Sequence, residues 1–107
     1  MVLTPVLPAV VLMDNGRKSF FNQVIAAYLG WQGVKENPCS ALMFGDGSPI
    51  PTAYLDFIAQ LTREFTYELQ WQEGDVALVD NYTTMHGRRS YGGDRKRQVL
   101  VAMAGKY

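Results

Sequence analysis

His86 is the only histidine in a chain of 107 residues. An imidazole at this position has two ordinary uses. It can hydrogen-bond inside a core, or it can ligate a metal through one ring nitrogen while an acceptor fixes the other. Arg97 follows eleven residues later, at the head of the apolar run Val99-Leu100-Val101-Ala102-Met103, with Gly92-Gly93 between the two. A glycine pair lets the chain run out, turn and return, so both side chains can face one cavity. A guanidinium at the start of an apolar strand is costly to bury alone, and a bidentate carboxylate offsets that cost. The carboxylate is either a side chain such as Asp75 or Asp80, or belongs to a bound small acid. Arg88, two residues past His86, could orient an acidic neighbour without touching the chemistry. Cys39, the single cysteine, stands between Pro38 and Ser40 with no nearby histidine to activate it and reads as structural.

Local patterns predict the elements that must hold these groups. Phe65, Tyr67, Leu69 and Trp71 alternate with Thr66, Glu68, Gln70 and Gln72, the period of a half-buried strand. Glu73-Gly74-Asp75 is a turn signal, and Val76–Val79 is a short apolar strand after it. Residues 84–91 and 97–104 complete a set of four expected strands. Upstream, Tyr54, Phe57, Ile58 and Leu61 form a helical stripe within Thr52–Glu64, with Pro51 suited to its start and Arg63 to its C-terminal end. Residues 9–13 are apolar on both parities, as in a buried strand. Asp14-Asn15-Gly16 marks a tight turn, and residues 18–28 read as an extended start passing into a short helix. Segments 30–40 and 44–51 are broken by glycine and proline and read as loops. The expected class is α+β, mainly β, a sandwich or open barrel in one domain spanning residues 1–107.

Ten basic and ten acidic residues cancel. Without a global positive field, neither nucleic acid nor a membrane surface is an expected partner, and the cluster Arg88, Arg89, Arg95, Lys96, Arg97 is local. The opening residues lack a basic leader and carry Pro5 and Pro8, unlike a signal peptide, and their apolar run is too short to span a bilayer. One cysteine fits a reducing compartment, so a cytoplasmic location is expected.

Five stretches carry a resemblance in a fixed order: Phe44-Gly45-Asp46-Gly47-Ser48-Pro49-Ile50, Trp71-Gln72-Glu73-Gly74-Asp75-Val76, Asp80-Asn81, His86-Gly87-Arg88, and Arg97 to Met103. Together they resemble the C-terminal part of the taurine dioxygenase-like (TauD/TfdA) family. Phe20-Phe21-Asn22-Gln23 also resembles a Phe-Asn-Gln segment in one branch of it. The resemblance implies a partial double-stranded β-helix (jelly-roll) with one amphipathic helix. It implies Fe(II) held by two histidines and a carboxylate, 2-oxoglutarate as co-substrate, and hydroxylation of a small-molecule substrate. His86 matches the distal iron-binding histidine. Arg97 matches the arginine that grips the far carboxylate of 2-oxoglutarate, and Arg95 is the competing candidate because spacing in this loop varies within the family. The family's His-x-Asp or His-x-Glu pair has no counterpart here. The expectation is therefore the C-terminal half of an oxygenase, inactive alone, that self-associates or needs a missing N-terminal half. The alternative is a catalytically silent jelly-roll remnant acting as a binding or interaction module. A cupin-like site shared by two chains would need Glu73, Asp75 or Asp80 beside His86.

Overall fold

The computed structural model describes residues 3–90, 92, 93, 96 and 98–105. Two strands come first, β1 (Val10–Leu12) and β2 (Lys18–Phe20). They pair antiparallel with Val10 opposite Phe20, Val11 opposite Ser19 and Leu12 opposite Lys18. The Asp14-Asn15-Gly16 turn joins them as expected. The Met13 amide donates to the Arg17 carbonyl at 2.8 Å, the Gly16 amide donates to Met13 at 2.9 Å, and Asn15 Oδ1 accepts from the Arg17 amide at 3.0 Å. Gly16 sits at φ +80°, where a Cβ is strained. The expected burial of β1 on both faces does not occur: Val10 and Leu12 are exposed, because no layer covers that face of the hairpin.

After β2 the chain passes into helix α1 (Val24–Gly30), matching the extended-then-helical expectation. Asn22 makes the junction. Its Oδ1 accepts from the Val24 amide at 2.9 Å and its Nδ2 donates to the Ala9 carbonyl at 2.8 Å. The loop region that follows contains one short 3₁₀ turn, Pro38–Ser40. In the second loop Met43 bridges Pro49, and the Phe44 amide donates to the Ser48 carbonyl at 2.9 Å. Asp46 Oδ1 accepts from both the Ser48 amide at 2.9 Å and the Ser48 hydroxyl at 2.5 Å. These two donors hold the Asp46 carboxyl below its ordinary value of 3.8. The ionised form makes the bonds, so they are in place above 3.8 and fail as pH falls through the lowered value. The Ser48 amide resonance is expected to titrate with a midpoint below 3.8, and a midpoint at or above it would show the turn is not closed by Asp46.

Helix α2 spans Thr52–Glu64, the bounds expected. The Pro51 carbonyl accepts the first helical bonds, from Tyr54 at 2.9 Å and Leu55 at 3.4 Å. The buried face is not the expected stripe. Leu55 and Ala59 are buried, Ile58 and Thr62 are half-buried, and Tyr54 and Phe57 are 60% and 58% exposed. The reason is steric. The small Ala59 side chain lies on the face that meets α1, where Leu55 packs with Ile25 and Tyr28. From that core the Tyr28 hydroxyl reaches Asp56 Oδ1 at 2.6 Å. The bond to Asp56, then burial, then the adjacent negative charge raise the Tyr28 pKa above 10.0. The neutral phenol makes the contact, so its stabilisation is full below 10.0 and is lost as pH rises through the raised value. Tyr28→Phe is expected to remove that alkaline loss, which a Tm-versus-pH series from 8 to 12 would show (about two units either side of the ordinary phenol value); an unchanged alkaline limb would exclude it.

Among the described residues, the four expected strands after α2 are not formed. Among the described residues of 65–105 no inter-strand ladder exists. The turn between the first two is present, with the Asp75 amide donating to Gln72 at 3.1 Å and Gly74 at φ +89°. Turns form from local bonds, whereas a strand needs a neighbour for its N–H and C=O groups, and these segments have none. The jelly-roll is therefore not formed among the described residues, and their architecture is α+β with two strands and two α-helices, α2 being the amphipathic helix expected and α1 the short helix expected within residues 18–28. The radius of gyration is 16.4 Å for 107 residues, against about 13 Å for a compact domain of this length.

Candidate functional site

His86 follows a turn that Asp80 builds. Asp80 Oδ1 accepts from the Tyr82 amide at 3.0 Å, and its carbonyl accepts from Thr83 at 3.2 Å and Thr84 at 2.9 Å. Two long-range contacts place this turn against the β1–β2 hairpin. The Ser19 hydroxyl donates to the Tyr82 carbonyl, and the Phe21 and Tyr82 rings stack with centroids 5.3 Å apart. Ser19 is the one buried polar side chain among the described residues. Beside these contacts lies an open groove of about 590 Å³, lined in part by Met13, Arg17, Lys18, Asp80, Thr83 and Met85.

The His86 side chain is exposed, and among the described residues nothing hydrogen-bonds to it. The core-histidine reading therefore fails. Arg97 and Arg95 lie outside the described residues. The side-chain carboxylates considered as their partners serve their own turns: Asp75 Oδ2 accepts from the Gln72 amide at 2.9 Å, and Asp80 accepts from Tyr82. Within the basic cluster, Arg89 pairs with Glu68 at 2.6 Å. Both side chains are more than half exposed, so the pair is screened and contributes little.

Iron of the implied type needs two imidazoles and a carboxylate on one face. The chain has one imidazole, and no group of three His, Cys, Asp or Glu side chains among the described residues could hold a metal ion. The residues present do not fit the metal by themselves. The cupin-like arrangement likewise finds no carboxylate cluster at His86 among them.

Ser19, Phe21 and Tyr82 were missed in the sequence. A serine in a three-residue strand carries no signal of its own, although the pair Phe20-Phe21 is a visible aromatic feature. Asn22, which could have faced a ligand, instead spends both ends of its amide on backbone groups. Gln23 is exposed. Ser19→Ala is expected to cost about 1 kcal/mol, the net value of one such hydrogen bond, and to shift the His86 ring resonances. Unmoved ring signals would show that this contact does not hold the segment.

A family model described as taurine catabolism dioxygenase TauD, TfdA family, matches residues 6–103. The chain belongs to the TauD/TfdA family. It is 36% identical over 98 residues to a clavaminate synthase-like protein of Arabidopsis thaliana, covering 91% of this chain and 29% of the relative. It is 33% identical over 59 residues to the dapdiamide synthesis protein DdaC of Enterobacter agglomerans, covering 55% of this chain and 18% of the relative. The chain thus spans less than a third of the length of these curated relatives. No solved structure matches it. Dependence on Fe(II) and 2-oxoglutarate is a property of the TauD/TfdA family as a whole. No helix among the described residues is long and apolar enough to cross a membrane.

Proposed function

We propose that this chain is the C-terminal part of an Fe(II)/2-oxoglutarate-dependent dioxygenase that hydroxylates a small molecule, and that it is inactive alone. The observation that carries this reading is the family match over residues 6–103, and the resemblance of His86-Gly87-Arg88 to the family's distal-ligand motif supports it. In a complete site His86 would be the distal imidazole. Arg97 would grip the far carboxylate of 2-oxoglutarate as a bidentate partner, with Arg95 the competing candidate. The other two ligands must come from residues outside this chain, so no catalytic step is assigned to it. The names of the relatives, clavaminate synthase-like and dapdiamide synthesis, support a small-molecule substrate. The single cysteine supports a cytoplasmic setting.

A second reading, a catalytically silent remnant acting as a binding or interaction module, is favoured by a His86 that is exposed and has no hydrogen-bond partner among the described residues. Anaerobic titration of the purified chain with Fe(II) and 2-oxoglutarate tests both. The expected result is no visible charge-transfer band. A one-to-one band would overturn the inactivity of the isolated chain.

A further inference from the structure

We infer that the groove between α1 and α2 is a binding site for a small amphipathic monoanion: one carboxylate carried on an alkyl or aryl body. The groove shares no residue with the one near His86, so the site is independent of the oxygenase reading.

The apolar body follows from the walls. The groove is open and holds about 390 Å³, inside the range of roughly 300–1,000 Å³ typical of small-molecule sites. Leu29 near the end of α1 and Phe57 on α2 line it, together with Ala53 and Ala59. Leu29 and Phe57 are 48% and 58% exposed. Their aliphatic and aromatic surfaces are therefore not used up by the core that Leu55 builds.

The head group follows from the polar lining, which is Lys35, Asp56, Gln60 and Arg63. Two of these four are already engaged. Asp56 Oδ1 accepts from the Tyr28 hydroxyl at 2.6 Å, and Gln60 Nε2 donates to Glu64 Oε1 at 2.7 Å. The side chains of Lys35 and Arg63 make no hydrogen bond or ion pair among the described residues. Two cations against one carboxylate leave one unit of positive charge in excess, which a single negative charge balances. Arginine meets a carboxylate with two parallel N–H donors, and lysine adds a point charge. Arg63 also lies in the last turn of α2, where its charge favours the helix dipole. That role uses the charge and leaves the guanidinium donors for a ligand. A protein partner fits less well, since a specific interface takes about 800 Å² from each side and the apolar part of this groove is four side chains.

Octanoate is the probe, with octanamide and octylammonium as controls of the same length. Each is titrated into the full chain and followed by the amide resonances and the Arg63 Nε resonance. The expected result is saturable one-to-one binding of octanoate that moves the Lys35, Phe57 and Gln60 amides and Arg63 Nε. Octanoate should bind at least about 5-fold more tightly than either control, the return of exposed charge pairs in water. Arg63→Gln and Lys35→Gln should each weaken octanoate by about 3-fold and leave octanamide unchanged, whereas Phe57→Ala should weaken both. Circular dichroism checks that the variants keep their helices, and the comparison of probes needs no variant. Equal affinities for octanoate and octanamide would overturn the inference, as would affinities unmoved by both glutamine variants or the lack of a saturable shift. An acidic helical peptide that moves these signals where octanoate does not, or a homodimer that already covers them, would also overturn it.

Discussion

Leu55→Ala is expected to destabilise the helical part of the chain by about 2–5 kcal/mol, the range for deleting a fully buried leucine. Leu55 is 0% exposed and packs with Ile25, Tyr28 and Ala59, with Val24, Leu42, Ile50 and Ile58 at the edge of the cluster. Little else is buried: Ala27 and Val34 complete the buried apolar set among the described residues. A core this small has few other side chains able to close over the cavity. Phe57→Ala, two residues along and on the exposed side, should stay within about 0.5 kcal/mol. Urea unfolding followed by far-ultraviolet circular dichroism checks both. Equal losses for the two variants would mean that the helix buries the Tyr54–Phe57 stripe after all.

On the proposed reading, in an assembly with a complete iron site, Arg97→Ala is expected to weaken 2-oxoglutarate binding by about 30-fold or more, as for removing one partner of a paired charge (2 kcal/mol or above). Arg95→Ala should change it by no more than about 3-fold, as for a charge that makes no paired contact with the ligand. Calorimetric titration with a redox-inert metal replacing iron separates the two. The reverse order would transfer the clamp to Arg95, and two small effects would remove a guanidinium clamp from the site.

The parts of the fold that were legible share one property: their causes lie within a few residues. Pro51 and the helix-forming run to Glu64 set α2. Asp14-Asn15-Gly16 sets the hairpin turn, and Gly74 sets the later one. What was not legible depends on distant partners. Helix α2 has apolar residues on more than one side, and only the approach of α1 selects Leu55 and Ala59 over Tyr54 and Phe57. The alternation of Phe65 to Trp71 is a sound strand pattern, but alternation describes a capacity to pair and cannot supply the neighbour. At the site, His86 was singled out because it is unique and lies in a stretch that resembles a family motif. Ser19 was missed because its role comes from Tyr82, 63 residues away.

That separation has a consequence for how the imidazole is kept where it is. The packed helices already order much of that segment, and closing the slack stretch that follows α2 costs about 2–3 kcal/mol, growing only as the logarithm of its length. One hydroxyl bond and one ring stack return about 1–3 kcal/mol between them. The tether is therefore close to balance with the open chain, and the stretch around Tyr82 should be the first to let go on warming and the last to settle on refolding.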